Sequence, residues 1–351
     1  MFIGWTPDLP YNTTVSGNAT YTAEYRAIRI DGTFDETGII VTDGTTYEDI
    51  CVNGISGYTY DFNDYYSIYT LTITGNGLTF SGTGEDIHVV TASGVTAVTF
   101  DNLSISGEYI SMDGLLTTEE ASTRLEIRIS GNCSLIDTSG YGGARFDRPV
   151  QLTGTGTGAS LTFGGGVYCA DDFDVNDLEF EINNSYVAIG NDEGSVMQWW
   201  SFTNSVVRLN STNGGVLGMH ALSVENSVFT VTVSGASEYL GIECPQVRIS
   251  GSSVVTVTMN GDPEVECVIG TGVLEFADFT GSFSCSGPNI PAVFAGDIRF
   301  IEGGVEVSPD GYNLGSAEVS EFEDEYGTYE SFGIWIEGTL VPASSVTVSK
   351  D

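Results

Sequence analysis

The sequence is poor in basic residues, with 10 lysines and arginines against 48 aspartates and glutamates, a formal net charge of −38 over 351 residues. Binding to nucleic acids and to anionic membranes depends on clustered positive charge. The shortage of basic residues therefore excludes nucleic acids and membrane surfaces as partners. Because Lys350 is the only lysine, a lysine-based catalytic mechanism has almost nothing to work with.

Several other features are scarce or absent. No run of eighteen apolar residues occurs, and residues 1–5 lack the basic and apolar regions of a signal peptide. The six cysteines are widely spaced and form no CxxC pair or zinc-type spacing. Cys169 lies in the apolar segment Val167–Ala170 and is predicted to be a small buried hydrophobe.

Glycine is abundant, at 45 residues, whereas proline is scarce, at 9. With many threonines, serines and valines, this composition favours short strands and tight turns. A unit of two alternating strands around an Asn, Ser or Gly corner recurs, and its clearest copies are residues 178–187, 202–207, 222–229 and 247–255. Between corners near Ser104 and Gly304 the mean spacing is about 25 residues.

A third short strand, rich in glycine, lies between successive corners, as at Gly165–Tyr168. Three short strands in about 25 residues predict an all-β fold, a right-handed parallel β-helix of about nine to ten rungs. In this fold the inward residues of 229–233 stack on those of 255–259, and the intervening threonines face solvent. Residues 71–311 are the predicted β-helix, with caps at 26–70 and 312–351, and the acidic surface predicts a monomer.

The β-helix fold is common among polysaccharide lyases and hydrolases, but the sequence lacks most of their catalytic motifs. Asp171–Asp172 supplies an aspartate pair, but neither His88 nor His220 lies in a Gly-His-Gly, and no Arg-Ile-Lys occurs. Arg145 and Arg148 are the only candidate lyase bases, and a turn held by a local ion pair is the alternative interpretation. The sequence therefore predicts that the chain is not an enzyme.

An acidic segment is a candidate calcium site. Asp171, Asp172, Asp174 and Asp177 offer hard oxygen ligands at close spacing. An EF-hand is not indicated, because its sixth position is Asp177 and its twelfth is Asn183. The alternative is a solvated acidic corner between two strands.

Aromatic residues are the candidate ligand contacts. Strand alternation places one of Trp199 and Trp200 inward and the other outward, where it could stack on a sugar ring. Tyr60, Tyr65 and Tyr66 form a second candidate platform. The alternative is that these side chains pack in the core or close the cap.

Residues 1–25 resemble the last half of the small β-grasp repeats of internalin-like bacterial surface proteins. The matching pieces are the Gly4-Trp5 pair, the loop with Pro7 and Pro10, and the closing strand Tyr21–Tyr25. The resemblance implies that residues 1–25 are a repeat remnant within a longer, modular surface protein.

The segments Val150–Phe163 and Gly164–Tyr168 resemble the β-helical carbohydrate-binding-domain family of bacterial surface proteins. That family has a pectate-lyase-like parallel β-helix without the lyase machinery, and some members bind calcium and acidic polysaccharides. The resemblance implies a non-catalytic, extracellular adhesin module on a bacterial surface, with a polysaccharide or a host or community surface glycan as partner. A purely structural stalk and a divergent polysaccharide lyase or hydrolase are the two alternatives.

Overall fold

The computed structural model describes residues 2–6, 22–25, 39–41, 49–53, 57–63, 68–108, 114–138, 142–190, 198–218, 220–261, 263–323 and 327–350. In these ranges the only helical segment is a 3₁₀ turn at Pro309–Gly311, and the remainder is strand and connecting turn. No helix within the described ranges has the length and apolarity needed to cross a membrane.

The strands fall into three groups along the chain. The N-terminal strands are β1 (Phe2–Thr6), β2 (Thr22–Tyr25), β3 (Ile39–Val41), β4 (Asp49–Asn53) and β5 (Tyr58–Asn63). The strands of the coil are β6 (Ile68–Ile73), β7 (Leu78–Glu85), β8 (Ile87–Thr91), β9 (Ala97–Gly107), β10 (Leu116–Thr118), β11 (Leu125–Asp137), β12 (Ala144–Phe146), β13 (Val150–Phe163), β14 (Val167–Cys169), β15 (Phe173–Asn176), β16 (Glu179–Gly190), β17 (Trp199–Thr203), β18 (Val206–Leu217), β19 (Ala221–Glu225), β20 (Val228–Val233), β21 (Ile242–Glu243), β22 (Gln246–Ser250), β23 (Val254–Met259), β24 (Ile269–Ala277), β25 (Ser282–Ser286) and β26 (Val293–Glu302). The C-terminal strands are β27 (Val305–Val307), β28 (Tyr312–Asn313), β29 (Glu318–Glu323), β30 (Thr328–Ile336), β31 (Thr339–Pro342) and β32 (Ser345–Lys350).

The coil strands build three parallel sheets, and the chain visits each sheet once per turn. Sheet 1 consists of β6, β8, β10, β12, β14, the ends of β16 and β18, β21, and the starts of β24 and β26. Sheet 2 consists of the starts of β7, β9, β11 and β13, then β15, β17, β19, β22, and the ends of β24 and β26. Sheet 3 consists of the ends of β7, β9, β11 and β13, the starts of β16 and β18, then β20, β23 and β25.

The fold is a parallel β-solenoid with a repeat of about 25 residues, as the spacing of the corners predicts. Within the described residues, sheets 1 and 2 each contain ten parallel strands and sheet 3 contains nine, which agrees with the predicted nine to ten rungs. Phe229 pairs with Val255 and Val231 with Val257, so the predicted stacking of these two segments is confirmed.

The core is built from rows of inward-facing residues that stack from turn to turn. The central row of sheet 2 contains Val98, Ile127, Leu152, Val175, Phe202, Val224, Ile249, Phe276 and Phe300. Every member of this row is at most 2% exposed. Since burial of one such side chain contributes about 1.5–3 kcal/mol, each added turn stabilises the solenoid.

The corner between sheets 2 and 3 requires a left-handed backbone. Asn204, Asn226 and Gly251 occupy this corner in successive turns, with φ of 49°, 48° and 61°. Asparagine, aspartate and glycine adopt this conformation at lower cost than other residues. In the turn before Asn204 the corner residue is Asp177, with φ of 52°, so the bend within 178–187 is not the equivalent of the Asn204 corner, although the sequence repeat predicts that it is. Asn183 and its neighbours lie one bend later, because Ile182 pairs with Leu209.

A ladder of buried serines lines the inner side of this corner. The backbone N–H of Ser205 donates to the hydroxyl of Ser227 at 3.0 Å, and that of Ser227 donates to the hydroxyl of Ser253 at 3.3 Å. The Ser227 hydroxyl has the carbonyl oxygen of Glu225 at 2.8 Å as its acceptor. In each Asn-Ser pair, therefore, asparagine adopts the left-handed conformation of the bend. The serine hydroxyl forms hydrogen bonds with buried backbone groups.

Antiparallel strands close both ends of the described coil. At the N-terminal end, β5 pairs with β6 and β4 pairs with β7. At the C-terminal end, β27 and β30 pair with β26, and β32 pairs with β25. Strands β1 and β2 form a separate two-stranded antiparallel sheet. The domain boundaries and the repeat remnant at residues 1–25 stay predictions.

Candidate functional site

The adjacent tryptophans lie on opposite sides of sheet 2. Trp200 is 1% exposed and packs in the core, where its Nε1–H donates to the carbonyl oxygen of Asp171 at 3.2 Å. Trp199 points outward from β17 and is 52% exposed. Of the two candidates, Trp199 is therefore the one whose ring a ligand can reach.

Two neighbours restrict the position of Trp199. Its backbone N–H donates to Asp172 Oδ1 at 2.8 Å, which ties the start of β17 to the preceding turn. Its ring meets the His220 ring edge to face, with centroids 5.0 Å apart and an interplanar angle of 73°. Such aromatic contacts hold a ring in place beyond what burial provides, so Trp199 is an ordered, exposed platform.

A cleft of about 510 Å³ opens beside Trp199 on the outer face of sheet 2. Its floor includes the small side chains of Ala221 and Ser223, and its polar walls include Glu225, Gln246 and Arg248. These groups provide both hydrogen-bond donors and acceptors along one side of the exposed indole.

The register of sheet 2 explains why the cleft forms here. Trp199 pairs with Ala221, and Ala221 pairs with Gln246, so an alanine separates two long outward side chains. In the adjacent outward row Ser201 pairs with Ser223, and Ser223 pairs with Arg248. A small residue in both rows of the same turn leaves the space that the cleft occupies.

The outer face of sheet 2 also carries four arginine–carboxylate pairs. They are Arg124–Asp174 at 2.5 Å, Arg128–Glu126 at 2.6 Å, Arg248–Glu275 at 3.3 Å and Arg299–Asp297 at 2.5 Å. Side chains of both charges therefore alternate along a face of a strongly acidic protein. Sequence analysis missed this feature, although the arginines at outward positions of alternating strands were a usable signal.

The four aspartates of the candidate calcium site do not surround one point. Asp172 and Asp174 both approach Arg124, at 3.7 and 2.5 Å, and Asp177 lies at the corner that follows β15. Asp171 Oδ1 accepts a hydrogen bond from the backbone N–H of Asp172 at 2.8 Å. Among the described residues no group of three or more His, Cys, Asp or Glu side chains is arranged to hold a metal ion. Calcium at these aspartates stays a prediction.

The tyrosine platform falls largely outside the described residues. Tyr60 lies on β5, which pairs with β6 at the N-terminal end of the coil. Tyr65 and Tyr66 are outside the residues that the structure describes. Their role as a second platform stays a prediction.

The candidate lyase bases have structural contacts. Arg145 pairs with Asp147 at 2.9 Å and lies 4.5 Å from the centre of the Tyr168 ring. Arg148 is 1% exposed, and its guanidinium donates to backbone carbonyls, including that of Thr123. Burial lowers the Arg148 pKa from its usual value. His88 lies on sheet 1 and His220 beside sheet 2, so the two histidines do not share a face.

Comparison with protein families, with curated proteins and with solved structures finds no match to this chain. The resemblances to carbohydrate-binding domains and to β-grasp repeats therefore stay predictions from the sequence.

Proposed function

We propose that the chain is a non-catalytic carbohydrate-binding module of an extracellular bacterial surface protein, an adhesin, and that the cleft beside Trp199 is its binding site. The observation that supports this function is a half-exposed, ordered indole at the edge of a polar cleft. Sugar rings present apolar C–H faces that stack on indoles, while their hydroxyls need nearby hydrogen-bond partners.

In this proposal each lining group has a separate role. The Trp199 ring takes the apolar face of one sugar unit. Gln246 and Arg248 donate hydrogen bonds to hydroxyl or ring oxygens, and Glu225 accepts from hydroxyls. Because the side chains of Ala221 and Ser223 on the floor of the cleft are small, a linear polysaccharide has room to lie across the turns of sheet 2.

The engagement of the acidic groups supports binding without cleavage. Glycosidases need one carboxylic acid to protonate the leaving oxygen and a second carboxylate on the other side of the bond. Asp172 and Asp174 are both engaged by Arg124. Of the two carboxylates that line the cleft, Asp278 accepts a hydrogen bond from the backbone N–H of Gly303 at 2.7 Å, and Glu225 is the one assigned to the sugar hydroxyls. The buried Arg148 is engaged by backbone carbonyls and is not accessible as a lyase base.

A glycan-array screen of the purified chain, run with calcium and then with EDTA, tests the proposal. We expect saturable binding to one polysaccharide class that Trp199→Ala weakens by about tenfold or more, the loss expected from one stacking platform. Trp335→Ala is the matched control, since Trp335 is 63% exposed on β30 and does not line the cleft.

The outcomes of the screen distinguish a binding module from a structural stalk and from an enzyme. Failure to bind any glycan on the array under either condition would favour the structural stalk over the binding module. Release of shorter oligosaccharides would favour the divergent lyase or hydrolase. Binding that disappears in EDTA would assign calcium to the complex, and Asp172→Asn would then test the acidic segment.

A further inference from the structure

A second cleft of about 510 Å³ opens on a different face of the solenoid, above sheet 1. Its floor is formed by β21, β24 and β26, and Thr328 and Tyr329 of β30 form one side. It shares no lining residue with the cleft beside Trp199. The two clefts therefore have separate linings.

Aromatic rings line this second cleft. Tyr239 is 40% exposed at its rim. Phe294 and Tyr329 pack against each other with ring centroids 4.0 Å apart, so the hairpin that contains β30 holds the opposite side. Rings from two different turns and from the C-terminal hairpin thus face one opening.

A glycine forms part of the floor of the cleft. In the outward row of sheet 1, Gly270 pairs with Glu243 on one side and with Phe294 on the other. A Cβ atom at Gly270 would lie 2.6 Å from Leu240 Cδ1, so a larger residue at this position would displace the Leu240 side chain, which also lines the cleft. Because glycine has no side chain, none stands between the Glu243 and Phe294 positions in this row.

The cleft carries three carboxylates and no basic side chain. Glu238, Glu243 and Glu266 line it, and no lysine, arginine or histidine does. Burial, together with the charges of Glu266 and Glu243, raises the pKa of the Cys267 thiol to about 12. Cys267 lines the cleft beside these two carboxylates. The Glu238 carboxylate accepts a hydrogen bond from the Tyr186 hydroxyl at 3.1 Å.

The described basic side chains are all engaged elsewhere. Their partners are Arg124–Asp174, Arg128–Glu126, Arg145–Asp147, Arg208–Glu179, Arg248–Glu275, Arg299–Asp297 and Lys350–Glu302, and Arg148 is bound by backbone carbonyls. Within the described part of the chain, the negative charge of the second cleft has no internal counter-ion.

We propose that this cleft binds a protonated amino sugar, a hexosamine unit of an oligosaccharide. The exposed Tyr239 ring takes the apolar face of the pyranose. Glu243 and Glu266 accept hydrogen bonds from the ammonium group, and the aromatic rings attract the same cation through their π faces. A basic peptide fits less well, because the floor strands β21 and β24 are paired on both sides, and β26 pairs with β24 and with β30. These strands therefore offer no free edge for an added strand.

Calorimetric titration of the full chain with a glucosamine tetramer tests the proposal. We expect saturable binding, and we expect the N-acetylated tetramer to bind at least about tenfold more weakly because it lacks the charge. Glu243→Gln and Glu266→Gln each remove one charge and should weaken binding by about tenfold. Glu264→Gln is the matched control, since it removes a charge from the same loop but does not line the cleft.

Two further variants make the result unambiguous. Gly270→Leu fills the cleft and should abolish binding, with an unchanged far-UV circular dichroism spectrum as proof of folding. Trp199→Ala should leave hexosamine binding unchanged. A loss of binding at the cleft beside Trp199 can therefore be distinguished from a loss of binding at the second cleft. Equal affinity for both tetramers, equal affinity for tetra-lysine, or no detectable binding would each overturn the proposal.

Discussion

The buried serine ladder shows how a single hydroxyl stabilises two turns of the solenoid. We expect Ser227→Ala to lower the free energy of unfolding by about 1–3 kcal/mol, because the buried N–H of Ser205 loses its acceptor. Urea unfolding followed by circular dichroism measures the loss. Ser252→Ala is the control, since Ser252 is an exposed serine at the same corner and its removal should have little effect. Equal decreases in the free energy of unfolding of the two variants would contradict the stabilising role of the serine ladder.

Because of its buried cysteines, the protein should lose stability at alkaline pH. Five of them, Cys133, Cys169, Cys244, Cys267 and Cys285, are free thiols in the core, and the predicted burial of Cys169 is confirmed. Burial raises the pKa of Cys244 from 9.0 to about 11. A raised pKa in the folded state gives stability that is complete below pH 9 and is lost as the pH rises towards 11.

Cys244→Ala isolates this contribution. At neutral pH the variant should be less stable than the wild type, because the methyl group leaves a gap beside Gly218. The difference between the two proteins should shrink as the pH rises from about 9 to about 11, since the unfolded wild type gains a thiolate that the variant lacks. Urea midpoints at several pH values measure the difference, and a constant difference would contradict the expectation.

At the scale of the element, the corner between β19 and β20 depends on the backbone of Asn226. Its side-chain oxygen accepts a hydrogen bond from the N–H of Ser252 in the next turn at 3.1 Å, and its φ is 48°. Asn226→Ala loses the hydrogen bond and places a side chain with a Cβ atom in the unfavourable left-handed conformation, whereas Asn226→Gly loses only the hydrogen bond. We therefore expect the free energy of unfolding of the alanine variant to be about 1 kcal/mol lower than that of the glycine variant, measured by urea unfolding. A more stable alanine variant would contradict the role of the left-handed corner.

Strand alternation and corner spacing were sufficient to predict the elements, but not every alignment between turns. The pairing of residues 229–233 with 255–259 follows from matching apolar patterns on both sides of an Asn-Ser or Ser-Ser corner. The turn that contains Asp177 was misaligned, because Asn183 and Asn184 imitate a corner in composition. Aspartate adopts the same left-handed conformation as asparagine, so residue type alone does not identify the bend.

At the scale of the molecule, both clefts depend on residues that are close only after coiling. Trp199 and Gln246 are 47 positions apart in the sequence and become near neighbours across Ala221. The outward position of one tryptophan was predictable from alternation, but the floor of the cleft was not. That floor depends on the exact register of three turns whose lengths differ, and a shift of one residue reverses which side chains face outward.

At the C-terminal end of the coil, a terminal strand covers the edge of a sheet. Strand β32 covers the edge of sheet 3 by pairing with β25 along Ser282–Ser286. Deletion of residues 344–351 exposes that edge, and uncovered parallel edges recruit further strands. The deletion removes Lys350 and Asp351 together, so the net charge of −38 is unchanged.

Charge repulsion and edge pairing then oppose each other in the truncated chain. At 0.01 M salt the Debye length is about 30 Å, so repulsion between acidic surfaces should keep the truncated chain monomeric. At 1 M salt the Debye length falls to about 3 Å, and the exposed edge should drive association. Light scattering at both salt concentrations, with circular dichroism to verify folding, measures the effect. A truncated chain that stays monomeric at 1 M salt would show that β32 is not what protects this end, whereas salt-dependent association of the full chain would place the interaction elsewhere.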